Sequence, residues 1–217
     1  MKPGFAIALV SLAFVTLVGC GQSSTRPTAT RLLEPTATLI SGWHRVTGKG
    51  VSISLPDTFV GGDFSESNRK DIRQRLNPSN QISIGLIDAL ERTSTNLILL
   101  FAVNTESSES DSSSTLTIIS ETVPEALHPL THLESRTRTD LAFPFTVKVK
   151  EELKVDGNPA GRMIIEWGEK GAREITYAIR YKTRMYVISF SISHNEFEKM
   201  LPIIEQSIQT LTINPHP

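Results

Sequence analysis

Apolar residues along this chain fall into three patterns: unbroken runs, runs with every second residue apolar, and stretches with a three-to-four-residue period. The first is Phe5 to Leu17 (FAIALVSLAFVTL), a run of 13 residues interrupted only by Ser11 and Thr16. At about 1.5 Å per helical residue it reaches about 20 Å, short of a bilayer core of about 30 Å. Behind Met1-Lys2 it therefore reads as the apolar region of a signal peptide, residues 1–19, and not as a membrane span. Residues 21–41 (GQSSTRPTATRLLEPTATLIS) are rich in Thr, Ser and Pro, with PTAT occurring twice. Such a segment buries too little apolar surface to offset chain entropy and is expected to be a disordered spacer. Fully extended, at about 3.3 Å per residue, it would reach about 70 Å.

From Trp43 onward the period shortens to two. Gly50 to Leu55 places Val51, Ile53 and Leu55 on one face and Ser52 and Ser54 on the other, and Pro56-Asp57 closes the strand as a turn. Leu97 to Val103 (LILLFAV) is apolar on both faces, as a strand covered twice should be, and Leu116 to Ser120 is its expected partner across a Ser-rich connection. Phe145 to Leu153 alternates, with Phe145, Val147, Val149 and Leu153 inward and Thr146, Lys148, Lys150 and Glu152 outward. Arg162 to Trp167, with Met163, Ile165 and Trp167 in register, precedes a hairpin of Ile175 to Tyr181 and Tyr186 to Ile192.

Helical spacing marks Ser67 to Leu76, with Asn77-Pro78 as a stop, and Pro129 to Leu141, with His128 at the cap and Pro144 beyond. A shorter helix around Ile84 to Arg92 is weakened by Gly85. Asn195 to Gln209 carries Phe197, Leu201, Ile204 and Ile208 along one stripe, and Pro202 should kink or split it. Frequent strands with short connections and a few helices predict an α+β domain over residues 42–217 with a central, largely antiparallel sheet flanked by helices.

Cysteine usage now decides location. The chain has a single Cys among 217 residues, which excludes an intrachain disulfide framework and any multi-Cys metal site. That residue, Cys20, directly follows Leu17-Val18-Gly19 at the end of the apolar run. The arrangement resembles the lipobox of bacterial lipoproteins. The resemblance implies that the Cys20 thiol receives diacylglycerol with palmitate-type acyl chains and that cleavage leaves Cys20 as the lipid-bearing terminus. Acyl chains contribute about 0.8 kcal/mol per buried methylene, so two or three anchor a protein stably. The expected product is an extracytoplasmic protein held to a bacterial cell membrane by lipid, with residues 20–41 as anchor and tether. Its charged residues would be 21 basic and 23 acidic. A near-neutral balance without a basic cluster argues against nucleic acid as a partner.

The order of strands and helices also resembles a known family. It comprises GVSISLP, a central apolar strand, GNPAGRMIIEW with Gly157 and Gly161, the hairpin TYAIRYKTRMYVISFS, and the closing helix FEKMLPIIEQSIQTL with Phe197, Pro202 and Ser207. It is similar to the PsbP-like family, whose fold is shared by a eukaryotic Ran-binding nuclear-import factor and by several bacterial lipoproteins. The resemblance implies an α/β/α sandwich and a role as an extrinsic binding or assembly factor.

Catalytic signatures are missing. No G-x-S-x-G, Walker A, H-E-x-x-H, EF-hand or strand-to-helix G-x-G-x-x-G pattern is present. His128 and His132 could meet on one helix face and bind zinc with Glu125 or Glu134, but Pro129 at the first helical position leaves His128 at the cap. His194 is expected to cap the last helix, and His44 and His216 to be solvated. Glu106 to Asp111 lacks the spacing and glycine of a calcium loop. Trp167, Tyr177, Tyr181 and Tyr186 alternate with Met163, Ile165, Ile175 and Ile179, which predicts sheet core and not a stacking platform. Arg162, Arg173, Arg180, Lys182 and Arg184 form the preferred partner-binding candidate. The sequence thus predicts a lipid-anchored protein-binding or assembly module with no catalytic, cofactor or metal site. The alternative is a surface hydrolase or small-ligand binder with a cleft drawn from distant residues. Its mark would be a deep pocket holding His194 or His128 beside a carboxylate.

Overall fold

The computed structural model describes residues 31–33, 40–76, 81–92, 97–106, 114–139, 144–168 and 171–214. The signal peptide, Cys20, the rest of the spacer, Asn77-Pro78, most of the acidic Ser-rich loop, Leu141 and His216 lie outside them. The elements in chain order are β1 (Arg31–Leu33), β2 (Trp43–Thr47), β3 (Val51–Pro56), β4 (Phe59–Gly62), α1 (Glu66–Arg75), α2 (Gln81–Arg92), β5 (Ile98–Asn104) and β6 (Thr115–Thr122). They continue with α3 (Pro129–Thr139), β7 (Phe145–Val155), β8 (Asn158–Trp167), β9 (Arg173–Tyr181), β10 (Arg184–Ile192), α4 (Phe197–Gln209) and β11 (Thr212–Ile213).

Eight strands form one sheet in the order β1-β7-β8-β9-β10-β6-β5-β4, and three form a second, β11-β3-β2. Among the described strands only β1 pairs in parallel, with Arg31 opposite Leu153 on β7, and every other pair in the large sheet is antiparallel. The α+β class and the antiparallel sheet with helices on both faces are as the sequence predicts. One face packs on α4 and the small sheet, where Ile53, Leu55, Phe59, Leu100, Ile118, Tyr177, Ile188, Phe190, Ile204 and Ile208 share the main core. The other face carries α1 and α2 over β4 and β5, around Phe64, Ile72, Ile87 and Phe101. At its opposite end α3 lies over β8 and β9, around Leu133, Met163, Ile165, Ala178 and Val187.

Two hairpins set the register. Asp156 and Gly157, with φ of 48° and 73°, make the β7–β8 turn, a left-handed pair that matches the strand twist. Lys182, at φ 57°, begins the β9–β10 turn. Gly161 lets α3 come close: a Cβ there would sit 2.7 Å from the Leu130 backbone N.

Four expectations are corrected. Arg31–Leu33, inside the expected disordered spacer, is a strand on the edge of the large sheet. Ser52 and Ser54, on the face opposite Val51 and Ile53 as expected, are also buried. Arg45 covers Ser52 through Nε and Nη2 bonds of 3.0 and 2.6 Å, and the Ser54 amide donates to Thr210 Oγ1 at 2.8 Å. On β7 the inward residues do not share one face. A register shift between Val147 and Val149 leaves Lys148 unpaired, so Phe145 and Val147 pack toward α3 while Val149 and Leu153 enter the main core. Pro202 does not split α4, which continues through it as one element. Proline there removes one bond, to the Glu198 carbonyl, and packing of Phe197, Met200, Ile204 and Ile208 holds the helix together. Finally, α2 begins at Gln81, longer than the Ile84 start expected, with Ile84, Ile87 and Leu90 packed on the core and Gly85 outward.

Candidate functional site

Among the described residues, helices cover the sheet face that carries α1, α2 and α3 at its two ends. Between them, beside α3, lies a cavity of about 130 Å3 lined by Leu133, Arg136 and Thr137 of the helix, Met163, Ile165 and Trp167 of β8, Glu174 and Thr176 of β9, and Val187 and Ser189 of β10. Strand alternation builds this lining. Odd residues of β8 and β10 and even residues of β9 point to the same face, and on β9 and β10 several of them are polar. Thr176 Oγ1 donates to Glu174 Oε1 at 3.0 Å and shares a hydrogen bond of 3.3 Å with Ser189 Oγ. The result is an apolar floor with a hydroxyl and carboxylate rim.

Charge at the helix side is held by Glu121 on β6. Arg136 Nη1 donates to Glu121 Oε1, and His132 Nε2 lies 3.2 Å from Glu121 Oε2. Burial pushes the His132 imidazole below its ordinary value, Arg136 adds to that push, and Glu121 opposes it without reversing it. His132 is therefore neutral at neutral pH, while Arg136 and Glu121 compensate each other. Glu174 has no cationic partner among the described residues.

The five basic residues singled out in the sequence do not form one surface. Arg162 is 8% exposed. Its Nε lies 2.7 Å from Glu151 Oε1 and its Nη1 2.5 Å from Glu205 Oε1, on the α4 side of the sheet. Tyr177, fully buried beside it, has its hydroxyl pushed up to about 12 by burial, against the pull of Arg162. Arg173 lies on that same side, 2.8 Å from Glu198 Oε1, with its guanidinium 4.8 Å above the Phe197 ring. Arg180 points to the opposite face and clamps the Glu125 and Leu127 carbonyls ahead of α3. Arg184 donates to Ser120 Oγ at 3.1 Å. Lys182 is exposed at the hairpin tip, 5.9 Å from the Tyr181 ring centroid. Four of the five are thus engaged inside the domain, because alternation sends neighbours in sequence to opposite faces.

Glu166 gathers a second polar cluster on the α4 side. Its carboxylate lies 3.3 Å from both Lys148 Nζ and Arg173 Nε and 3.8 Å from His194 Nδ1. Burial pushes the Glu166 carboxyl up, but Lys148, Arg173 and His194 outweigh it and hold the group below the usual carboxylate range. His194 does not cap α4, whose N-cap is Glu196. Glu166 and Lys148 border a shallow hollow with Phe145 and Thr146, and His194 is not among its lining residues. His128 does cap: its Nδ1 accepts from the Leu130 amide at 3.4 Å, with Glu152 Oε1 at 3.7 Å. Neither histidine lines the α3 cavity. Among the described residues no three metal-ligating side chains converge.

The aromatic residues divide. Tyr177 and Tyr186 are core, Tyr181 packs against it half-buried, and Trp167 alone lines the cavity. Sequence reasoning missed Arg136, Thr137, Glu174, Thr176 and Ser189 as site residues. The available signal was a row of polar residues on the sheet face that α3 should cover, on strands whose other face is continuous core.

No family model matches the chain, and no curated protein matches it. Solved structures do. The chain is similar to the cyanobacterial PsbP of Synechocystis at 9% identity and a TM-score of 0.48, over 82% of this chain and 96% of that one. It is similar to LpqN of Mycobacterium tuberculosis, involved in cell envelope biogenesis, at 11% identity and a TM-score of 0.46, over 80% and 91%. It is also similar to the immunity protein TplEi of Pseudomonas aeruginosa, solved with a peptide, at 10% identity and a TM-score of 0.42, over 81% and 99%. At these values they are comparisons of backbone shape, and no role of theirs is transferred.

Proposed function

We propose that this chain is a lipid-anchored extracytoplasmic binding or assembly module without catalytic activity of its own, in which a PsbP-like domain engages a partner protein through the open groove beside α3. Cys20 carries the anchoring part of the reading, as the one cysteine of the chain, set where a signal peptide would be cut. The groove supports the binding part. It offers an apolar floor and a polar rim, which is the composition of a recognition surface, and its lining includes neither a histidine nor a cysteine. Crosslinking of intact membranes followed by affinity isolation tests the reading: specific protein partners are expected, and recovery of none across growth conditions would overturn it.

The alternative of a surface hydrolase draws on Glu166 beside His194. That carboxylate is already neutralised by Lys148 and Arg173, which disfavours a general base there because its proton affinity is lowered. A domain with measurable hydrolase activity that is abolished by His194→Gln would favour this second reading.

A further inference from the structure

We propose that the groove beside α3 receives one apolar side chain of leucine or phenylalanine size from the partner protein, together with an adjacent lysine or arginine that pairs with Glu174. This rests on the binding-module reading and specifies its ligand. Volume sets the first half. A cavity of about 130 Å3 floored by Leu133, Met163, Ile165, Trp167 and Val187 is close to the about 150 Å3 apolar cavity that accepts benzene. It suits a single ring or branched aliphatic group and is too small for a drug-sized ligand, which needs about 300 Å3 or more.

Charge sets the second half. Among the described residues Arg136, Glu121 and Glu174 are the charged groups at or beside the groove, and the first two are bonded to each other. Glu121, which faces His132, is spent on Arg136. Among the described residues Glu174 accepts only the Thr176 hydroxyl. The nearest basic residues along its own strand are committed elsewhere, Arg173 to Glu166 and Glu198 on the other face and Arg180 to the carbonyls ahead of α3. Among the described residues the groove therefore carries one uncompensated negative charge at its rim, beside hydroxyls on Thr176 and Ser189 that can bond a partner backbone. A cationic side chain next to the inserted apolar one completes it, whereas an acidic neighbour would be repelled.

The test uses the full-length protein with Trp43→Phe, which leaves Trp167 as the only tryptophan because the chain has two. Its fluorescence then reports directly on the groove. The probes are N-acetyl-Phe-Lys-amide, N-acetyl-Phe-Gln-amide, N-acetyl-Phe-Glu-amide and N-acetyl-Ala-Lys-amide. The Phe-Lys probe is expected to give a saturable change, binding about three- to fivefold more tightly than Phe-Gln, the size expected of a partly exposed ion pair. Ala-Lys should bind more weakly than Phe-Lys, and Phe-Glu more weakly than Phe-Gln. Glu174→Gln should abolish the preference for lysine while leaving the response to Phe-Gln intact. No saturable response to any probe, or equal affinity of the Lys and Gln probes in the parent, overturns the proposal. Partner capture separates it from the reading beneath it. If membrane crosslinking recovers the same partners from Glu174→Lys as from the parent, the module reading stands and this assignment falls. Recovery of no partner from the parent, with the probe preference intact, sinks the module reading instead.

Discussion

Replacing Arg162 with Met should destabilise the domain by about 3 kcal/mol, through the charges it leaves behind more than through the contacts it removes. Arg162 stands on β8 between Glu151 of β7 and Glu205 of α4, at 2.7 and 2.5 Å, with Tyr177 of β9 alongside. Breaking a buried pair by removing one partner costs about 3–5 kcal/mol. The two carboxylate side chains are 25% and 22% exposed, so water screens part of the loss and the lower end applies. For a domain of this size about 3 kcal/mol corresponds to a fall in Tm of about 6–12 °C. Urea unfolding of the full-length protein, followed by circular dichroism, measures it.

Removing the whole cluster is the sharper check. Without the cation, two partly buried carboxylates lose their shared partner, and removing them as well should reverse the loss. The triple change Arg162→Met, Glu151→Leu and Glu205→Leu should recover most of the loss, since an apolar replacement of a buried cluster is often neutral. A single variant within about 1 kcal/mol of the parent, or a triple variant no more stable than the single, would refute the argument.

Three further outcomes are expected. Cys20→Ser should move the protein from the membrane fraction to the released fraction, and retention on the membrane would rule out lipid on Cys20 as the anchor. Glu166 has a folded-state carboxyl held below its ordinary value of 4.5, so it stabilises the fold above that value and the contribution is lost as the pH falls. The stability gap between the parent and Glu166→Gln should accordingly be widest at neutral pH and narrow as the pH falls below 4.5; a gap that widens in acid would contradict it. Gly161→Ala puts a methyl group 2.7 Å from the Leu130 backbone N and must lift α3, at about 1–3 kcal/mol and with altered Trp167 fluorescence. Unchanged stability and spectrum would show that α3 does not rest on Gly161.

Periodicity carried most of the fold. The doubly apolar Leu97–Val103 segment became β5, buried on both faces, and the aromatic hairpin became β9 and β10 with every register pair from Arg184–Tyr181 to Ile192–Arg173. What alternation alone could not supply was which face each strand turns to which layer. The bulge at Lys148 switches β7 from one core to the other, and no composition rule marks it. Short strands β2, β4 and β11 gave too few residues for a period. The site was the least legible part. Five basic residues looked like one patch because they cluster in sequence, yet the pleat sends Arg162 and Arg173 to one face and Arg180 to the other. The groove is assembled from α3, β8, β9 and β10, so its polar rim is visible only once Thr176 and Ser189 face each other across the hairpin.

A photocrosslinking amino acid placed at Thr137, on the groove, and separately at Asp71, on α1, compares the two surfaces in intact membranes. A discrete protein adduct from position 137 and none from position 71 is the expected result. The same adducts from both positions, or none from position 137, would contradict a membrane-held module that binds its partner beside α3.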